Sequence, residues 1–171
     1  MRGRVMTFFI AAVVLQLSAE GLQACGDKYL LAGRGAKFRQ AYAAIYPAAV
    51  VVFARPQRGS TAAIRNPQLL ADLKQAGHRV VLVENEQALS RALETERVDV
   101  LLTDGSDADR LATQADTVPA KPRVVPVLFK PTKAESKAVE TRYQICLTSS
   151  DRSIKFLAAI DDVMKARKKK A

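Results

Sequence analysis

Five short apolar runs, most of them rich in β-branched residues, recur along the chain: Ala48 to Ala54, Arg79 to Val83, Val98 to Thr103, Val124 to Phe129 and Tyr143 to Thr148. Their alternation with amphipathic segments restricts the fold more than any other feature. Runs this short, apolar almost throughout, predict strands buried on both faces. Between them the spacing is helical. Asn66-Pro67 places an N-cap before a proline at the first helical position, Leu69, Leu70, Leu73 and Ala76 share one face, and Gly77 supplies the stop. Glu86 to Glu96 carries Ala88, Leu89, Ala92 and Leu93 on one side, and Asp107 to Ala115 carries Leu111, Ala112 and Ala115. Thr132 to Thr141 has a weaker pattern. Ser150 to Ala166 has a strong one, with Asp151 near its start and basic residues at its end, where the helix dipole favours them.

Strands that alternate with helices pair in parallel through right-handed crossovers, and continuously apolar strands need helices on both faces. The expected fold class is α/β: a five-stranded, parallel, doubly wound sheet of flavodoxin-like order 2-1-3-4-5 over residues 48–166. Lys37 to Tyr46, with Phe38, Ala41, Tyr42 and Ile45, predicts an extra helix in an N-terminal extension, residues 25–47, ended by Pro47. At 171 residues the chain has room for one such core plus extensions.

Residues 1–24 read as a signal segment: Arg2 and Arg4 precede the apolar run Val5 to Leu17, and Ser18, Ala19 and Ala24 follow. That run is shorter than the roughly 20 residues that span a bilayer. Export to the periplasm or envelope is therefore expected. Two cleavage sites compete. One follows Ala19. The other lies in Leu22-Gln23-Ala24-Cys25, which looks like a lipobox and would make Cys25 a lipidated first residue. With cleavage after Ala19, Cys25 and Cys146 both stay in an oxidising compartment and are able to pair; the simpler reading of Cys146 is a small buried hydrophobe. The net charge of +10 is concentrated at the ends: Arg2 and Arg4 in the leader, Lys165 and Arg167 to Lys170 at the C-terminus. A basic tail, residues 167–171, is expected to be solvated, with anionic lipid or nucleic acid as its alternative contact.

From Asn66 to Asp104 the chain reads Leu69-Leu70, Leu73, Gly77-His78-Arg79-Val80, then Glu84 to Leu89, then Val98-Asp99-Val100-Leu101-Leu102-Thr103-Asp104. Over these residues it resembles a response-regulator receiver domain. The resemblance places Asp104 at the phosphoacceptor position and implies phosphoryl transfer with a Mg²⁺ held by an acidic pair after the first strand. The matching residues here are Phe53-Ala54-Arg55-Pro56, which contain no acid. The Ser or Thr and the Lys that receivers place after the fourth and fifth strands have only displaced counterparts, Thr132 and Lys130. Asp104 is therefore read as vestigial, with no catalytic residue, metal or cofactor expected.

Arg55, Arg58, Ser60 and Thr61 follow the first strand beside the point where such sheets bind ligands, and form the candidate anion site; the alternative is a solvated loop. Asp104, Asp107 and Asp109 are close enough in sequence to attract a cation, but a strand-end turn with Asp107 capping the next helix explains them more simply. His78 is the only histidine, so one chain cannot build a histidine-based triad or multi-histidine metal site. Gly33-Arg34-Gly35 reads as a turn. Nucleic acid is not expected, because the few aromatics are not interleaved with cations. The functional expectation is a non-enzymatic, receiver-like module that contacts a protein partner in the cell envelope. The membrane enters only through a lipid anchor or the basic tail. Alternatives are a small-ligand or anion-binding domain, similar to one lobe of a periplasmic binding protein, and a true receiver phosphorylated on Asp104.

Overall fold

The computed structural model describes residues 29–31, 40–56 and 59–169. The signal segment, Cys25, Gly33-Arg34-Gly35, Arg58 and the last two residues of the tail lie outside them.

The sheet is the expected one. Strands β3 (Ala49–Phe53), β4 (Arg79–Val83), β5 (Val100–Asp104), β6 (Arg123–Leu128) and β7 (Leu147–Thr148) pair in parallel in the order β4-β3-β5-β6-β7. In order of appearance within this sheet, that is 2-1-3-4-5. The central strands are apolar because both faces are covered. Val50 and Val52 face α2 (Pro67–Gln75) and α6 (Ser153–Lys168), whereas Val51 and Phe53 face α3 (Glu86–Thr95) and α4 (Ala108–Thr117).

Local chemistry sets the helix boundaries. Asn66 accepts the Gln68 N–H at 2.9 Å ahead of Pro67, and Gly77 takes φ of 99°, a left-handed conformation that only glycine adopts readily. Asn85 caps α3 by accepting the Ala88 N–H at 2.8 Å. Thr132 and Glu135 form a reciprocal capping box at the start of α5 (Lys133–Tyr143).

Four expectations are corrected. Over the expected N-terminal helix, Gln40–Tyr42 is instead strand β2, antiparallel to β1 (Tyr29–Leu31). The following residues give their N–H groups to the domain rather than to a helix: Ala44 to the Ala76 carbonyl at 2.9 Å, and Tyr46 to the Asp161 carboxylate at 3.3 Å. The fifth strand begins at Leu147, not Tyr143, because the well-capped α5 runs through Tyr143 and ends at Gln144 with φ of 62°. The basic tail is not free from residue 167. Arg167 lies in α6 and donates to the carbonyls of Ala120 at 3.0 Å and Lys121 at 2.8 Å. A short helix, α1 (Thr61–Ile64), also stands where a loop was expected.

His78 is buried in the turn into β4, and its Nδ1 accepts the Ala48 N–H at 3.2 Å. Burial pushes its pKa below 6.5, and the nearby Asp161 charge opposes this in part. The unfolded chain thus binds a proton near pH 6.5 that the folded protein resists. Stability should be complete above that pH and decline as the pH falls from there through the depressed native pKa. Urea midpoints between pH 7.5 and 5 should show this decline in the wild type and much less of it in His78→Gln. An equal decline in both would assign it elsewhere.

Candidate functional site

At the C-terminal edge of the sheet the strand ends bring together Asp104 from β5, Arg55 from the residues after β3, and Ser60 at the cap of α1. The Asp104 carboxylate is almost closed off. One oxygen accepts the Ser106 N–H at 2.8 Å; the other accepts the Ser60 N–H at 3.2 Å and the Ser60 hydroxyl. Burial raises its pKa, but the hydroxyl and amide donors of Ser106 and Ser60 outweigh that and hold it below the ordinary 3.8. Asp104 is therefore an anion at neutral pH, with its charge already met by local donors. Gly105 lets the Leu128 side chain pack close beside it, since a Cβ there would fall 2.3 Å from the Leu128 terminal methyl and push it aside.

Next to Asp104, Arg55 makes a two-pronged contact with Asp107, through Nε at 3.2 Å and through one terminal nitrogen. Asp107 is only 3% exposed. It occupies the N-cap position of α4 but makes no capping bond, so the expected cap is replaced by an ion pair. Arg110 extends the network, meeting Glu86 at 2.7 Å and Asp107 at 3.7 Å. Both guanidinium groups also lie within 6 Å of the Phe53 ring centroid, at 5.8 and 5.9 Å.

Of the candidate anion ligands, Arg55 is engaged with Asp107, Ser60 with Asp104, and the Thr61 hydroxyl donates to the Arg55 carbonyl at 2.9 Å. Arg58 lies outside the described residues. The displaced counterparts have other tasks: Thr132 caps α5, and Lys130 lies over the Phe129 ring at 5.4 Å. Cys146 is half-buried, and its possible partner Cys25 is not among the described residues. Glu86 and Arg110 are additions that the sequence did not single out. The only signal was their opposite charge at the starts of successive helices.

A divalent cation fits this donor set poorly. The residues after β3 supply a guanidinium in place of two carboxylates, and Asp107 is committed to it. Among the described residues no group of three His, Cys, Asp or Glu side chains is arranged to hold a metal ion.

Sheet order, crossovers and the aspartate closing β5 define a receiver-like fold. A solved structure similar to it is a response regulator from Thermotoga maritima, with a TM-score of 0.51 and 14% identity over 69% of this chain and 98% of that chain. Identity this low speaks for the fold alone. No protein-family model matches the sequence, and no curated protein does.

Proposed function

We propose that this chain is an exported, non-catalytic receiver-like module that works through contacts with a protein partner in the envelope. The observation that carries this reading is the closure of Asp104. Phosphoryl transfer needs an accessible carboxylate oxygen and a cation to offset charge on the phosphoryl group. Here both oxygens accept hydrogen bonds from Ser60 and Ser106, and the neighbouring acid, Asp107, is held by Arg55. Two further features favour contact as the mode of action. α5 buries none of its residues, and beside it Leu128, Phe129, Pro131, Ala138 and Val139 line an open, largely apolar groove. Phe129 is 53% exposed. Contiguous apolar surface of this kind commonly marks a protein contact.

The test is intact-mass spectrometry of protein recovered from the envelope fraction, before and after incubation with acetyl phosphate and Mg²⁺. The expected mass lacks the leader and gains no phosphoryl group. A phosphoryl adduct that Asp104→Asn removes would overturn the non-catalytic reading. A cytoplasmic protein retaining residues 1–24 would overturn export.

A further inference from the structure

The two ends of the sheet treat their cations differently. At the C-terminal edge four are paired, Arg55 with Asp107, Arg65 with Glu84, Arg110 with Glu86 and Lys155 with Asp151, whereas the exposed Lys130, Lys133 and Arg152, spread over separate elements, make no ion pair among the described residues. At the N-terminal edge Arg79 meets Glu96 at 3.6 Å and Arg167 meets Asp99 at 3.8 Å. Arg97, Lys121, Arg123, Lys165 and Lys169 are exposed there and make no ion pair among the described residues.

Backbone contacts gather these cations. Arg123 opens β6 opposite Val100, the first residue of β5. Arg97 lies just before β5, and its carbonyl accepts from Arg79 at 3.1 Å. Arg167 fixes the last turn of α6 against Ala120 and Lys121, so Lys165, Lys168 and Lys169 join the same edge. The exposed acids toward the same ends of the flanking helices, Glu94, Asp116, Glu140 and Asp162, are fewer than the cations.

An apolar tip emerges among these charges. Ile45 is 50% exposed, and the half-buried Tyr46 ring lies 4.5 Å from the Lys168 ammonium, immediately before β3 begins. Aliphatic and tyrosine side chains ringed by lysine and arginine suit the boundary between lipid headgroups and acyl chains.

We propose that the N-terminal edge of the sheet docks on a membrane surface rich in anionic, phosphate-bearing headgroups. Arg97, Lys121, Arg123, Lys165, Lys168 and Lys169 supply the attraction, and the exposed Ile45 supplies the shallow apolar contact. Single-stranded nucleic acid fits less well, because it calls for open aromatic faces between the cations, and the one aromatic ring at this tip is covered by Lys168.

The experiment measures partitioning of the mature protein recovered from the envelope fraction onto phosphatidylcholine vesicles with and without phosphatidylglycerol. It compares the wild type with Arg97→Gln/Lys121→Gln/Arg123→Gln/Lys165→Gln. A second variant, Arg91→Gln/Lys130→Gln/Lys133→Gln/Lys137→Gln, loses the same charge elsewhere, and circular dichroism checks that both fold. Each cation at an anionic surface is worth about a fivefold change in binding, so the edge variant should lose at least about 100-fold and the second variant less than about 10-fold. Binding of the wild type should also weaken as salt is raised. Equal losses in the two variants, no preference for phosphatidylglycerol, or tighter binding to single-stranded DNA at the same ionic strength would overturn the proposal.

Discussion

Leu73→Ala is expected to lower the unfolding free energy by about 2–5 kcal/mol. Leu73 is fully buried on α2, in a cluster with Val50 and Val52 of β3 and with Leu157 and Ile160 of α6. Truncation loosens packing against both of these elements, and a fixed sheet on one side and a long helix on the other limit how far the site can close. Urea unfolding measures the effect: the midpoint should fall while the slope stays constant, since the exposed area barely changes. A loss below about 1 kcal/mol would mean that α2 is not seated between β3 and α6 as described.

The second large effect is expected at the ion pair of the C-terminal edge. Arg55→Leu should destabilise by about 2–3 kcal/mol, because it leaves the Asp107 carboxylate buried without its two-pronged partner. The value falls below that of a fully enclosed pair because Arg55 is about one-third exposed, at 32%, and Arg110 remains 3.7 Å from Asp107. Arg55→Leu/Asp107→Leu should recover most of the loss, since removing both charges leaves no buried group unmet. Thermal or urea unfolding of wild type, single and double variants closes the cycle. A double variant no more stable than the single one would show that the arginine acts through packing on Phe53 rather than through charge.

The parts of the fold that the sequence revealed are those with strong local causes. Val50 to Phe53 and Val100 to Leu102 are apolar at successive positions because both faces of the sheet are covered, and α2 carries its start and stop signals in Asn66, Pro67 and Gly77. What stayed hidden depends on distant partners. Tyr42 and Ile45 suit a helix by spacing, yet pairing of Tyr42 with Tyr29, and the bond from Tyr46 to Asp161, decide otherwise. At the site, Asp104 was legible as the residue closing a strand. Its contact with Ser60 was not, since the two are separated by 44 positions, and neither was the diversion of Asp107 from a cap to Arg55.

The packing of α6 bears on how this protein reaches its folded state. Phe156, Leu157, Ile160 and Val163 complete the same cluster as Val50 and Val52, so the earliest strand of the main sheet is covered by a helix synthesised long after it. Contacts between such distant positions require the intervening chain to be closed first, which makes assembly slow and leaves partial chains without a sealed core. Until α6 is synthesised, one face of β3 has only α2 to cover it. The delay exposes the apolar β3 and β5 to neighbouring chains, so yield should depend on how promptly α6 arrives.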